Sequence, residues 1–476
     1  MLAHLAPNCT IAPPVSPPAV FEPKLIRRYD VSGPRYTSYP TADRFVEAYG
    51  PDSHERWLSR RGIGGASGTG LSVYLHIPFC DTVCYYCACN KVVTKDHSRS
   101  AKYLRHLALE MEHVDRVIGG SREILQLHMG GGTPTFLAAE EFDFIIEAVG
   151  RHFRLREDGE YSIEVDPRRI GAPLVAHLAR LGFNRMSVGV QDFDAQVQKA
   201  VNRIQGVAET RAIIESARTN GFRSVSVDLI YGLPRQNADS FRRTLDTVLG
   251  LDPDRIALYN YAHLPQQFGP QRRINTVDLP SPTMKLDLLG IAVERMTAAG
   301  YVYIGMDHFA RPDDDLAVAQ RRGKLQRNFQ GYSTHADCDL VGFGVSAISQ
   351  IGPVYAQNHR TLDGYYAALE QGMLPIMRGI ELSADDLLRR AVIQGLMCHF
   401  ELSIEAIETA HLIDFRNYFR AELQELQPLQ QAGLLEIDNE WISILPRGRP
   451  LVRAIGMVFD RYLREHQQRA RYSKII

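Results

Sequence analysis

Three shortages bound this chain before any motif is read. Cysteine is scarce, at seven in 476 residues. A disulfide framework needs an oxidising compartment and usually a short, cysteine-dense chain, so that class is disfavoured. Charge of one sign is missing too: 54 basic against 55 acidic residues leave a net charge of -1. No electrostatic ground remains for nucleic acid or an anionic membrane as partner. Runs of about 18 apolar residues are absent, so no membrane insertion is expected. Residues 1–10 lack the basic start and apolar core of a secretion signal, and a cytoplasmic location is expected. The length suits roughly two to three domains with a large core.

What is present is concentrated. Four of the seven cysteines, Cys80, Cys84, Cys87 and Cys89, fall within ten residues. Gaps of three and two residues between the first three suit a loop that wraps three thiolates around one inorganic cluster and leaves one iron open. A structural zinc site normally draws ligand pairs from separated segments, and no second CxxC pair exists here. Soft thiolates suit iron and sulfur, although the spacing differs from ferredoxin runs with a fourth thiolate. Cys9 precedes the proline-rich residues 11–23 and reads as incidental within a flexible arm.

Short apolar runs at 71–77, 124–129, 161–165, 185–190, 224–230 and 255–261 alternate with helical stretches at 100–117, 139–153, 172–181, 207–219 and 238–249. This alternation predicts an α/β fold with a parallel sheet curved into a partial (β/α)6 TIM-type barrel. A flat doubly wound sheet is the competing architecture. Beyond 375 the pattern becomes amphipathic helix. Ser383 with Asp386 reads as a cap before 387–400, segments 434–437 and 441–445 as a hairpin, and 451–466 as a closing helix. The expected layout is an arm over 1–23, a covering segment over 24–70, a catalytic barrel with extension over 71–370, and a mainly α-helical domain with a small hairpin over 371–476. Helices plus a hairpin can form a DNA-binding winged helix, but the unbiased charge favours a lid or substrate-contacting domain.

The chemically suggestive residues follow the runs. The cysteine loop comes after the first, Gly130-Gly-Gly-Thr-Pro-Thr135 after the second, and Glu164 and Asp166 end the third. Gln191 and Asp192 follow the fourth, Asp228 sits in the fifth, and Asn260 to His263 close the sixth. Carboxyl ends of parallel strands are where ligands bind. Each motif also has a plainer account: three glycines can simply turn the chain, and a lone acidic residue can be a solvated strand end. Asp307 and His308 could equally be a hydrogen-bonded core pair.

The Cys-x3-Cys-x2-Cys loop, with Tyr86 just before its third cysteine, resembles the signature of radical S-adenosylmethionine enzymes. Further stretches are similar to one family of them, the oxygen-independent coproporphyrinogen III oxidases. They include Gly33-Pro-Arg-Tyr-Thr-Ser-Tyr-Pro-Thr41, Tyr74-Leu-His-Ile-Pro-Phe-Cys80, Ile163-Glu-Val-Asp-Pro167, Val190-Gln-Asp-Phe193 and Val201-Asn-Arg203. Asn260-Tyr-Ala-His-Leu-Pro265, Arg327-Asn-Phe-Gln-Gly-Tyr332 and Gly344-Val-Ser-Ala-Ile-Ser349 extend the likeness towards the C-terminus.

The resemblance implies that Cys80, Cys84 and Cys87 hold a [4Fe-4S] cluster whose fourth iron is chelated by S-adenosylmethionine. A 5'-deoxyadenosyl radical would then take hydrogen from substrate propionates, which leave as carbon dioxide to give vinyl groups. It also implies two S-adenosylmethionine molecules. Tyr74, Gly131, Glu164 and Ile348 match positions around the first; Tyr86, Gly132, Thr133, Gln191, Arg203, Asp228 and Ala262 match those around the second. Cys89 matches a functional thiol that is not a ligand, and it argues against a related haem-carrying chaperone. A radical methyltransferase is the other alternative. Ala88 stands where the family usually has glycine, which would matter if the backbone there needs positive φ. The expected substrate, coproporphyrinogen III, carries four carboxylates on an apolar macrocycle. Arg35, Arg311 and Arg327 are candidates to meet them, and Asp307 could accept from the pyrrole nitrogens. An unidentified one-electron donor, a final electron acceptor and a monomeric state complete the expectations.

Overall fold

A computed structural model describes residues 19–62, 70–336, 338–466, 472 and 474. Most of the expected arm, Cys9 included, lies outside the described residues. Its described end is not loose: Val20 donates to the Pro446 carbonyl at 3.0 Å, and Phe21 packs against the core.

The six apolar runs become the strands β1 (Leu71–Ile77), β2 (Glu123–Gly131), β3 (Arg154–Val165), β4 (Arg185–Gln191), β5 (Ser224–Tyr231) and β6 (Arg255–Asn260). All pair in parallel and in sequential order. The order never reverses, as it would in a doubly wound sheet, so the partial barrel is the architecture. Residues of β1 such as Leu71, Val73 and Leu75 are almost wholly buried, as expected where crossover helices cover a parallel sheet. Those helices are α1 (Ser98–Val117), α2 (Ala139–His152), α3 (Ala172–Arg180), α4 (Val207–Thr219) and α5 (Ala238–Leu249).

The sheet is wider than the sequence pattern suggests. Beyond β6 lie β7 (Val302–Gly305) and β8 (His308–Ala310), with β8 antiparallel to β6. On the other edge β9 (Asp339–Phe343) runs parallel to β1, followed by the antiparallel β10 (Ile348–Ile351), β11 (Val354–Asn358) and β12 (Ile376–Glu381). The result is a 12-stranded sheet. The boundary expected at 371 therefore falls too early, because β12 is hydrogen-bonded to β11 along its length and belongs to the main sheet.

After β12 the expected cap forms. Ser383 Oγ accepts from the Asp386 amide at 3.2 Å, and the helix Ala384–His399 ends on Phe400 at φ +62°. The expected hairpin, Leu435–Ile437 with Trp441–Ile444, gains a third strand, Glu401–Ser403. The closing helix expected over 451–466 is broken into Arg449–Leu451, Val452–Met457 and Arg461–His466. Asp460 supplies a reason: its carboxylate accepts from the Tyr462 and Leu463 amides at 3.0 and 3.2 Å, starting a new helical turn. Among the described residues no helix is long and apolar enough to cross a membrane.

One buried carboxyl ties the barrel to its extension. Glu110 of α1 accepts from the Gly344 amide at 2.8 Å, from Asn358 Nδ2 at 2.6 Å and from the Tyr365 hydroxyl at 2.6 Å. Its removal strands three buried donors. Glu110→Ala should lower stability by about 3 kcal/mol, read as a fall in chemical denaturation midpoint, since each unmet buried group costs about 1–3 kcal/mol.

Candidate active site

The carboxyl ends of the six parallel strands surround a cavity of about 550 Å³, within the usual range for small-molecule sites. All the expected site residues line it except Tyr74, Ile348, Asp307, Arg311 and Arg327.

One wall is the cysteine loop. Immediately after β1, Phe79–Cys80 pairs with Val92–Val93 and closes the base of the loop. The Cys87 amide donates to the Cys84 carbonyl at 3.2 Å, turning the chain between them. Cys80 Sγ lies 3.3 Å from Thr133 Oγ1, joining this loop to the glycine loop. Arg168 Nη2 and Arg203 Nη1 reach Cys84 Sγ at 3.7 and 3.8 Å. Asp166 holds both arginines, at 2.6 Å from Arg168 and 3.2 Å from Arg203. Cys80, more enclosed, has its thiol pushed up to about 11 by burial. Cys89 is exposed, and its thiol donates towards Cys87, which makes Cys87 the more acidic of that pair. Among the described residues no three His, Cys, Asp or Glu side chains gather tightly enough for a single metal ion. Ala88 is not among the residues with positive φ, so its Cβ strains nothing.

Opposite stands the glycine loop. Gly131 has φ +119°, and a Cβ there would lie 2.6 Å from the His76 ring. A Cβ on Gly132 would lie 2.6 Å from the Pro78 carbonyl oxygen. Only glycine permits this approach between the ends of β1 and β2. The Gly131 amide donates to Glu164 Oε2 at 3.0 Å, and His128 lies 3.4 Å from Oε1. Burial opposes ionisation of Glu164, but His128 and this amide outweigh it and hold the carboxyl below its usual range. Asp228 behaves in the opposite way. Burial, then the charge of Glu164, pushes it up to about 7, although Ser187 donates to it at 3.0 Å. A cation entering here would meet one settled carboxylate and one that its own charge would ionise.

Gln191, at φ +67°, and Arg203, whose Nη2 donates to the Gly189 carbonyl at 2.6 Å, shape the end of β4. Tyr86 and Ala262 are brought together by a residue absent from the sequence reading. Gln271 Nε2 donates to the Tyr86 carbonyl at 3.1 Å and to the Ala262 carbonyl at 3.2 Å. Arg168 was overlooked as well. Its signal was available, since Asp166-x-Arg168 follows β3 at the ligand-binding edge.

Five expected contacts lie outside this cavity lining. Tyr74 points its hydroxyl to His76 Nδ1 at 3.0 Å and stacks on His128. Ile348 packs with Phe45, Tyr355 and Leu382. Asp307 is buried in an ion pair with Arg35 at 3.0 Å, and of the two only Arg35 lines the cavity. Arg311 pairs with Asp252 and lies over the Tyr301 ring, outside the cavity lining, while Arg327 is buried beside Arg35.

Comparison with known proteins agrees with this geometry. Residues 74–248 match the Radical SAM superfamily, and residues 382–451 match the HemN C-terminal domain. The chain is 54% identical over 456 residues to oxygen-independent coproporphyrinogen III oxidase from Pseudomonas aeruginosa, covering 95% of this chain and 98% of that protein. It belongs to the oxygen-independent coproporphyrinogen III oxidase family. The Escherichia coli oxidase is 46% identical over 452 residues, covering 95% and 98%. The solved structure described as coproporphyrinogen III oxidase (HemN) from Escherichia coli, a radical SAM enzyme, superposes with a TM-score of 0.89 over 94% of this chain and 100% of that one. Membership of the superfamily implies a [4Fe-4S] cluster and S-adenosylmethionine for this oxidase family. The soft thiols, their arginine neighbours and the facing carboxylates fit that pair chemically. The second matched region begins at residue 382, just after β12 ends.

The raised Asp228 carboxyl gives a signed expectation. Its folded value, about 7, exceeds the ordinary aspartate value of 3.8, so the ligand-free fold is penalised increasingly as pH rises between those values. Asp228→Asn should therefore raise the melting temperature of ligand-free protein more at pH 8 than at pH 5. Equal gains at both would show that burial of this carboxyl is not what perturbs it.

Proposed function

We propose that this chain converts coproporphyrinogen III to protoporphyrinogen IX without oxygen, by oxidative decarboxylation of two propionate side chains. The observation that carries the reading is the placement of Cys80, Cys84 and Cys87 on one wall of a cavity faced by Glu164 and Asp228, in a chain of this family. Each event removes a hydrogen atom from a propionate β-carbon, releases carbon dioxide and passes one electron to an acceptor.

Cys80, Cys84 and Cys87 would hold a [4Fe-4S] cluster. When bound, the cluster and S-adenosylmethionine together supply a reductively generated radical able to abstract hydrogen. The remaining work belongs to the protein. Glu164 and Asp228 balance sulfonium and ammonium charge or accept ribose hydroxyls. Gly131, Gly132 and Thr133 let the backbone come close to the ligand. Arg203, tied to Asp166, offers a fixed cation to a carboxylate. We assign two S-adenosylmethionine molecules to the cavity. Glu164 and Gly131 serve the first, with Tyr74 and Ile348 behind them. Tyr86, Gly132, Thr133, Gln191, Arg203, Asp228 and Ala262 serve the second. Cys89 takes part without ligating iron.

Anaerobic incubation of reconstituted protein with coproporphyrinogen III, reductant and S-adenosylmethionine should give a product that has lost two carboxyl groups. A methylated product, or retained haem without turnover, would sink the proposal and point to the two alternatives weighed from the sequence. Single Cys→Ser changes at 80, 84 or 87 should abolish the visible cluster absorption, whereas Cys89→Ser should keep it and lose turnover. Equilibrium dialysis should find two S-adenosylmethionine molecules per chain; one alone would remove the second site.

A further inference from the structure

The interior of the molecule holds an excess of positive charge under one part of the cavity. Buried Asp307 faces Arg35, Arg327 and Arg453, three guanidiniums around one carboxylate. Burial opposes ionisation of Asp307, yet these arginines hold its carboxyl below the usual range. Burial and the neighbouring Arg35 push Arg453 down to about 10, so the cluster is crowded with like charge. Nη1 of Arg327 is buried with no hydrogen-bond partner among the described residues. A buried guanidinium donor without a partner is costly unless another group meets it.

The three arginines come from distant parts of the chain and hold one another in place. Arg453, which follows the C-terminal matched region, donates through Nε to the Pro34 carbonyl at 3.1 Å and through Nη2 to the Gly33 carbonyl. Arg327 Nε donates to the Arg35 carbonyl at 3.4 Å. The next residue, Tyr36, at φ +45°, sends its hydroxyl to Asp460 at 3.0 Å. The backbone on both sides of Arg35 is thus clamped. Its guanidinium lies over the Tyr259 ring and meets Asp307 through Nη1 alone, with the side chain 33% exposed. Four of its five N–H donors, on this count, are not spent on Asp307. The other arginines of the cavity wall, Arg168, Arg169 and Arg203, are engaged with Asp166 or Asp81.

We propose that Arg35 is the anchor for a propionate carboxylate of the substrate, and that Asp307 is not a substrate contact but a positioning residue that aims Arg35 into the cavity. The inference rests on the function proposed above and names the carboxylate subsite within it. It also gives the C-terminal region a role, since Arg453 and Asp460 fix the segment that carries Arg35.

The test is anaerobic steady-state kinetics on reconstituted holoenzyme. Arg35→Ala should raise KM for coproporphyrinogen III by about 10- to 100-fold, the worth of one charged hydrogen-bonding contact. Arg35→Lys should recover part of that loss, because the charge survives without the planar fork. Asp307→Asn should also raise KM with kcat little changed. Arg311→Ala, which removes the same charge away from the cavity, should leave KM unchanged. The tetramethyl ester of coproporphyrinogen should bind wild type and Arg35→Ala equally. Cluster absorption and melting temperature report whether each variant is folded, and the half-buried Arg35 variants keep the test decisive if Asp307→Asn fails to fold. A KM within about twofold of wild type for Arg35→Ala overturns the anchor, being less than half a decade of affinity. A fall in kcat alone for Asp307→Asn overturns the positioning role. Loss of turnover in the wild type would instead refute the function itself.

Discussion

The active cavity depends on the parallel pairing of Leu71–Ile77 with Glu123–Gly131. That register sets Ile77 opposite Gly131, and the Gly132 amide extends it by donating to the Ile77 carbonyl at 2.8 Å. The cysteine loop leaves one strand just where the glycine loop leaves the other, and Cys80 reaches Thr133. A slip of one residue would turn the side chains of one strand to the opposite face and separate the two loops. The glycines are the condition for this meeting, because the space a Cβ would need is already filled by His76 and Pro78.

Around that junction the protein manages buried charge in three separate ways. At the cysteine wall, Asp166 neutralises Arg168 and Arg203 while leaving them able to support Cys84. On the opposite wall, Glu164 and Asp228 leave a deficit that suits a cationic ligand. Beneath Arg35, one carboxylate among three arginines leaves a surplus that suits an anionic one. Cavity parts of opposite sign are complementary to a cationic cosubstrate and a polycarboxylate substrate.

Much of this was legible along the chain. The parallel strands are short runs rich in apolar residues, and α4 and α5 occupy the residues their periodicity marks. Thirteen site positions fell at carboxyl ends and reappear around one cavity. The extra strands escaped because most, such as His308–Ala310 and Asp339–Phe343, are too short to set a period against their surroundings. The first half of β3, with Arg154, Arg156, Glu157 and Asp158, reads as a loop, yet Arg154 and Leu155 pair with the start of β2. Asp307 was read as an acceptor for the pyrrole N–H groups and Arg311 as a substrate contact from charge, and neither reading says which way a side chain faces. One proved to be the counter-charge of Arg35, the other the partner of Asp252.

The sequence by itself determined the thiol set, the glycine loop, the alternation of strands and helices and the family, because each is a local pattern of spacing or periodicity. Only the tertiary structure decided which arginine looks into the cavity and which carboxylate stands behind it. It also brought Gln271 to Tyr86 and Ala262, and Arg453 to Gly33 and Pro34. Those contacts join residues as many as 420 positions apart, and no periodicity along a chain encodes a distance of that kind.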